Sequence, residues 1–303
     1  LHTKEIGKNL FLIDLETGGL KNIICSYVIK GKKTILVESG PISSVPKLLS
    51  GLKELEVKLE DVEYLAVTHV HLDHGGGAGS LLKFLPNAEV LVHPRGMPHL
   101  VNPEVLWLSS KEVLGFESEI FGKPEPVPKE RIISLTEGSF NLDDCGKLKV
   151  IETLGHASHN LSFHESFNGG VFPGDAAGMY FPEFDVVIPT TPPPFHLGLA
   201  LESVDKIIRL KPTALYYSHF GKASNAIERL KNYKLQLKLW GKIAQEGVKE
   251  NHSLDEIRER ILSEDKVMNQ LSSYLKSHRI YSRTALLNNV QGFIDYAKKK
   301  QAK

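Results

Sequence analysis

Residues 68–74 read "THVHLDH", and "GGGAG" follows at 75–79. His69, His71, Asp73 and His74 all carry metal-ligating groups. In an extended segment alternate side chains share a face, so His69, His71 and Asp73 can converge. Asp73 and His74 are adjacent and point apart unless the strand ends there, and the glycines suggest that it does. A turn at Leu72 or Asp73 would let His69 and His71 serve one point while Asp73 and His74 serve another. The spacing therefore hints at two ion sites. A lone histidine is ordinarily a surface or satisfied core residue, but four ligand-type residues in this pattern are much harder to dismiss.

Zinc is usually four-coordinate, and a catalytic zinc keeps one position for water, so two ions need further ligands. The chain offers three, each after an apolar run: His156 in "VIETLGHASHN", Asp175 in "VFPGDAAG" and His219 in "LYYSHFG". Taken singly, Asp175 reads equally well as a turn aspartate and His219 as a buried strand-end histidine. Their recurrence at strand ends, where a side chain has rigid support and an open approach, favours ligation.

The rest of the sequence frames this cluster. In 303 residues, 41% are apolar and 24% charged, which fits an ordinary globular chain with a sizeable core. The formal net charge of +1 gives no electrostatic footprint for nucleic acid, and "AKKKQAK" at 297–303 reads as a solvated, fraying tail. Cys25 and Cys145 stand alone, so neither a disulfide framework nor a CxxC motif is expected. "LHTKEIGKNLFLIDL" is too charged for a secretory signal, and no run of about 18 apolar residues suggests a membrane span. The cytoplasm is the expected compartment.

Short Val/Ile/Leu-rich runs predict strands at 10–16, 23–31, 33–39, 63–69, 88–94, 148–154, 160–165, 169–175 and 214–219. Helices are expected at 45–55, 79–85 and 201–210. Residues 95–130 and 180–196, with scattered prolines, read as long irregular loops of the kind that often carry function. From about 224 to 300 the sequence is charged and helix-periodic, with a capping box at "SLDE" (253–256), and predicts three or four helices. The expected division is a catalytic domain over 1–222 and a helical region over 223–303.

In order and spacing, "THVHLDH", "LGH", "PGD" and "YSH" resemble the metallo-β-lactamase superfamily, over roughly residues 10–221. The resemblance implies an α/β fold, a four-layer αβ/βα sandwich, here with a C-terminal helical extension. It implies that His69, His71 and His156 bind one metal, that Asp73, His74 and His219 bind a second, and that Asp175 bridges both. Two divalent ions are expected, zinc first, with iron or manganese also suited to an imidazole–carboxylate set without thiolate. A bridging carboxylate and hydroxide can hold two ions ~3.5–4 Å apart and lower the pKa of bound water towards ~7. Asp73 and Asp175 are then the catalytic carboxylates.

Two positions depart from the family pattern. Glu38 in "VESG" stands where Asp is usual, and its longer side chain should support the ligands without being one. "TLGHASHN" replaces "TPGHTxGH", which puts His159 where it can donate to a metal-bound carboxylate or face substrate, although a turn histidine is the plainer reading. If the strands at 63–69 and 88–94 run parallel, His93, Arg95, Trp107, Phe116 and Phe121 can line an apolar cleft, and Met179, Tyr180 and Phe181 should sit near the metals. His196 reads as a loop residue.

The function expected is hydrolysis of an ester, thioester or lactone bond in a small molecule by a metal-bridging hydroxide, as in glyoxalase II-like proteins. The alternatives are a mononuclear iron oxidoreductase like the persulfide dioxygenases, or a metal-dependent phosphodiesterase or nuclease. The near-neutral charge disfavours the nuclease, and neither a nucleic-acid nor a membrane partner is expected. Seven intact ligands disfavour a purely structural module, because structural zinc sites favour closed, Cys-rich shells.

Overall fold

The computed structural model describes residues 2–277 and 284–302. The first half of the chain builds a seven-stranded sheet from β1 (Thr3–Gly7), β2 (Leu10–Asp14), β3 (Cys25–Ile29), β4 (Thr34–Val37), β5 (Val62–Ala66), β6 (Glu89–Val92) and β7 (Ile132–Ser134), in that order. β1 to β4 form an antiparallel meander, and β4 to β7 run parallel. Parallel neighbours need crossovers, which are α1 (Val45–Glu54), the single turns α2 (Leu72–Gly75) and α3 (Ala78–Leu81), and then α4 (Met97–Val101), α5 (Glu104–Leu114) and α6 (Phe116–Phe121).

The second half adds β8 (Gly138–Asn141), β9 (Lys147–Glu152), β10 (Leu161–Glu165) and β11 (Val171–Phe172), a separate hairpin of β12 (Met179–Phe181) and β13 (Val186–Ile188), and β14 (Leu215–Tyr217) and β15 (Gly221–Ala223). Six of these form the second sheet, in the order β15-β14-β11-β10-β9-β8. α7 (Leu197–Arg209) precedes β14, and the chain continues through α8 (Ala226–Lys249), α9 (Leu254–Glu264), α10 (Lys266–Ser277) and α11 (Thr284–Gln301).

Alternation along the strands explains the layering. Leu10, Leu12, Tyr27, Ile29, Ile35, Val37 and Leu91 enter one core together with Leu148, Val150, Phe163, Phe172 and Tyr216 of the opposite sheet. Their neighbours Ile13, Val28, Leu36, Leu65 and Val90 point the other way, into a core shared with the helices. A strand covered on both faces reads as a continuous apolar run, as "TILV" does. The result is the expected αβ/βα sandwich. The helix-covered core also takes in Trp240, Ile243, Ile257, Leu271 and Phe293, so α8 to α11 pack on the sandwich through the same apolar body. Among the described residues, no helix is long and apolar enough to cross a membrane.

Several expectations are corrected. Residues 95–130 are not an irregular loop, because they hold three helices. Pro98 lies in the first turn of α4, and Pro103 immediately precedes α5, so these prolines start helices where their missing amide costs nothing. Residues 180–196 contribute part of the β12–β13 hairpin. Pro182 and Pro189 fall just outside its strands, where no ladder amide is lost. The charged β1 forms an exposed edge that the apolar pattern does not flag. The tail is helical to Gln301, with Lys298, Lys299 and Lys300 exposed; Lys303 lies outside the described residues. The capping box forms as expected, with Ser253 Oγ accepting from Glu256 N and Glu256 accepting from Ser253 N.

Candidate metal centre

Strand ends on one edge of the sandwich converge here. β5 ends at Ala66, earlier than the pattern suggests, and Thr68 and His69 follow it. His71 then caps the helical turn α2, in which His74 N and Gly75 N both donate to His71 O. A helical turn, rather than a strand-to-loop bend, separates Asp73 and His74 from the first two histidines. Ser39 N and Oγ donate to the His74 carbonyl and hold this turn down. His156 follows β9, Asp175 follows β11 and His219 follows β14. The sheets meet at this edge, where Leu161 N donates to Thr68 O and Cys25 N to Ser218 O.

The seven candidate ligands assemble as two groups of three with one residue between them. His69 Nε2, His71 Nδ1 and His156 Nε2 lie 3.0, 3.1 and 3.2 Å from one another. Three nitrogens at zinc-ligand distances of ~2.0–2.1 Å in tetrahedral directions stand on the order of 3.3 Å apart, so this triangle has the size of a metal face. In the second group His219 Nε2 lies 3.2 Å from His74 Nε2 and 3.3 Å from Asp73 Oδ2. Asp175 stands between, with Oδ2 3.6 Å from His156 Nε2 and Oδ1 3.4 Å from His74 Nε2. Oδ1 is buried and, among the described residues, has no hydrogen-bond partner. A buried carboxylate oxygen without a partner is costly unless a cation meets it. These donors, all imidazole or carboxylate, therefore fit divalent metal.

The outward ring nitrogens explain why the inward ones are ligand-competent. His69 Nδ1 is 3.1 Å from Thr68 Oγ1, whose own proton goes to Glu38 Oε1 at 2.5 Å. His156 Nδ1 donates to Thr190 O at 2.8 Å, His219 Nδ1 to Ile23 O at 2.9 Å and His74 Nδ1 to Glu38 Oε1 at 2.9 Å. Each acceptor holds a proton on Nδ1, so that Nε2 faces inward and carries the ligating lone pair once the ring is neutral. Glu38, completely buried at φ 69°, also accepts from Thr68 N and Ser218 Oγ. It touches His74, Thr68 and Ser218 but is not among the converging donors. Gly174, at φ 54°, lets the backbone pass directly against Thr68 just before Asp175, since a Cβ there would stand 2.6 Å from Thr68 Oγ1.

Electrostatics divides the two groups. Burial, reinforced by neighbouring imidazoles, pushes His69 and His71 well below the ordinary histidine range, so both are neutral. Burial lowers His156 too. Burial alone would lower His74, but Asp73, Asp175 and Glu38 outweigh it and push it up to about 10. His219 is raised likewise, Asp175 and Asp73 overcoming burial. Asp73 and Asp175, although buried, are held below the usual carboxylate range, both of them chiefly by His74.

The surrounding candidates fare unevenly. His159 lies beside the first group, its ring 6.3 Å from His69 and 5.8 Å from His71, and burial pushes it down to about 3. Arg95 is exposed and donates to Ser158 O at 3.3 Å, next to His159. β5 and β6 are parallel, but the expected aromatic cleft does not follow. Trp107 and Phe121 are spent in the helix-covered core, whereas Phe116 is 71% exposed. His93 is buried, with Nε2 2.8 Å from Glu152 Oε1. Met179 is buried in the core. Tyr180 meets the site only through its backbone, its amide donating to His219 O. Its hydroxyl donates to Asp185, and its ring stacks on Tyr217 with Arg229 over it. His196 caps α7, its Nδ1 accepting from Leu199 N. Two surface cavities, about 500 Å³ beside Glu16 and Lys47 and about 530 Å³ beside Arg229 and Asp265, contain none of the seven donors. The supporting roles of Thr68, Thr190 and Ser218 escaped the sequence reading, although Thr68 and Ser218 directly precede ligands.

A model of the metallo-beta-lactamase superfamily matches residues 21–219. A metallo-beta-lactamase fold-containing protein of Sulfurisphaera tokodaii is 32% identical over 207 residues, which are 66% of this chain and 74% of that one. A probable metallo-hydrolase of Methanocaldococcus jannaschii is 30% identical over 155 residues, 51% of this chain and 68% of that one. The crystal structure of an archaeal metallo-beta-lactamase superfamily protein from Sulfolobus tokodaii aligns with a TM-score of 0.66 at 25% identity, covering 90% of this chain and 93% of that chain. Similarity of sequence and of fold agree with the geometry of the site, and the chain belongs to the metallo-beta-lactamase superfamily.

Proposed function

We propose that the chain is a dinuclear metal-dependent hydrolase that cleaves an ester, thioester or lactone bond in a small molecule. One observation carries this reading: the two oxygens of Asp175 face two different ligand groups, and buried Oδ1 has no hydrogen-bond partner among the described residues. A carboxylate so placed would serve two adjacent cations when both are bound. The division of the histidines supports it, with three neutral imidazoles on one side and a carboxylate-rich pair on the other.

When bound, divalent ions lower the pKa of coordinated water and polarise a carbonyl oxygen. The protein's own part is to fix the tautomers of four histidines and to bury the donors around one point. His159 lies beside the His69–His71–His156 face, and Arg95 holds the Ser158 carbonyl next to it; these are the polar groups we assign to the substrate's oxygens. Neither cysteine competes as a nucleophile. Burial pushes the Cys25 thiol up to about 12, and its Sγ is engaged by Tyr217 O at 3.2 Å; Cys145 is buried and raised as well. Zinc is the ion this donor set suits first. A relative named as a probable metallo-hydrolase supports the reaction class.

The test loads the metal-free chain with zinc, manganese or iron and offers thioesters, lactones, phosphodiesters and, for iron, a persulfide with oxygen uptake recorded. The expected result is thioester or lactone hydrolysis that disappears on chelation and in Asp175→Ala. A one-iron protein that consumes oxygen with persulfide, or one that cleaves phosphodiesters alone, overturns the reading.

A further inference from the structure

One of the residues that orient the metal donors, Thr190, is itself held from far along the chain. Thr190 serves two ligands at once: its carbonyl accepts from His156 Nδ1 at 2.8 Å, and its Oγ1 donates to Asp175 Oδ2 at 3.0 Å. Thr190 lies in "PTTPPP", a stretch outside any helix or strand. What fixes it is Asn289 on α11. The Asn289 side chain donates through Nδ2 to Pro189 O at 3.0 Å and accepts at Oδ1 from Thr191 N at 2.7 Å. One carboxamide thus grips the peptide groups on both sides of Thr190, as a neighbouring strand would. The Asn289 backbone carbonyl accepts from Thr191 Oγ1 at 2.9 Å.

The contact is buried and tight. Asn289 is 5% exposed and Thr191 completely buried. One turn further on, a Cβ at Gly292 would stand 1.8 Å from Thr191 O, so α11 lies directly against the loop. Phe293 anchors the helix against Phe195 and Trp240, with ring centroids 4.8 and 5.8 Å away. The helix side of this contact, Asn289, Gly292 and Phe293 with Trp240 behind them, lies beyond residue 219, where the superfamily match ends.

We propose that Asn289 is a positioning residue of the metal centre: through the 189–191 loop it sets His156 and Asp175, so the C-terminal helices complete the metal site. The inference rests on the reading that His156 and Asp175 bind metal, but not on the reaction catalysed. Asparagine suits the task because it offers a donor and an acceptor in one planar group. Coupling is reciprocal, so if docking of α11 tightens metal binding, metal binding must tighten the docking of α11.

The test uses the full chain. Zinc affinity is measured by competition with a chromophoric chelator, and amide hydrogen exchange is followed over residues 286–297 with and without zinc. Asn289→Ala should weaken zinc binding by about 10- to 100-fold, the usual effect of losing a group that orients a ligand. Asn289→Asp, which keeps the acceptor and loses the donor, should lie between. In the unsubstituted chain zinc should slow exchange over 286–297, a readout that needs no variant to fold. A merely structural Asn289 would lower the unfolding temperature of the metal-free variant and leave zinc affinity within about twofold. That result, or exchange over 286–297 indifferent to zinc, overturns the proposal. A chain that binds zinc and hydrolyses nothing contradicts the hydrolase reading alone. One that hydrolyses while Asn289→Ala binds zinc normally contradicts this proposal alone.

Discussion

Nδ1 of His74 lies 2.9 Å from Oε1 of Glu38, and both side chains are completely buried. Every hydrogen-bonding neighbour of the Glu38 carboxylate is a donor: Thr68 N, Thr68 Oγ1, Ser218 Oγ and His74 Nδ1. In Glu38→Gln the new amide must face at least one of these donors whichever way it turns. Zinc affinity should fall about 10- to 100-fold, and stability by about 1–3 kcal/mol for the buried donor left unmatched. Chelator competition and denaturant unfolding read the two losses. Unchanged affinity would show that Glu38 does not orient His74.

Asp175→Ala removes a residue whose two oxygens face both ligand groups. Bound zinc should drop from two ions per chain to about one, because the remaining groups keep three and three donors but lose their shared carboxylate. Elemental analysis after gel filtration decides it, and a variant that still holds two ions refutes the bridging role.

Proton competition should distinguish the two sites. Without metal, His74 is pushed up to about 10 and is protonated throughout the neutral range, whereas His69 and His71 are pushed well below 6.5 and are neutral. A ligating imidazole must be neutral, so an ion entering the Asp73–His74–His219 group expels a proton and an ion entering the other group does not. Affinity of that site should therefore rise by about tenfold per pH unit for each proton displaced, from pH 6 to 8, while the other changes little. Zinc titrations at several pH values, with proton release recorded in weak buffer, check this. Equal pH slopes for the two ions contradict it.

Gly174→Ala should cost stability without touching a ligand. The residue is at φ 54°, where an L side chain is strained, and the added Cβ would stand 2.6 Å from Thr68 Oγ1. About 1–3 kcal/mol of destabilisation is expected in denaturant unfolding. A change below ~0.5 kcal/mol, the range of an ordinary surface substitution, would mean that the turn relaxes.

The donors were legible because they announce themselves locally. His69, His71, Asp73 and His74 crowd into one short stretch, and His156, Asp175 and His219 each follow an apolar strand. β4, "TILV", was legible because both its faces are buried, whereas β1, with its charged and exposed edge, was not, and β12, although buried, was hidden by the prolines around it. The helices of 97–121 were hidden by prolines that read as breakers, although Pro98 and Pro103 stand at helix starts. The tautomer-setting acceptors were out of reach of pattern. Ile23 O and Thr190 O are backbone carbonyls that any residue type would supply, and only folding brings them to His219 and His156. Asn289 is further still from the motifs it serves, in a helix whose sequence carries no metal signature.

The central claim is that two ions sit on the seven donors and enable hydrolysis. It is tested most directly by titrating zinc into the metal-free chain while recording bound zinc and hydrolysis of a thioester or lactone in one experiment. The account predicts two ions per chain, activity that follows their binding, and loss of both in His71→Ala. Fewer than one ion per chain after reconstitution, with His71→Ala no different, would contradict it.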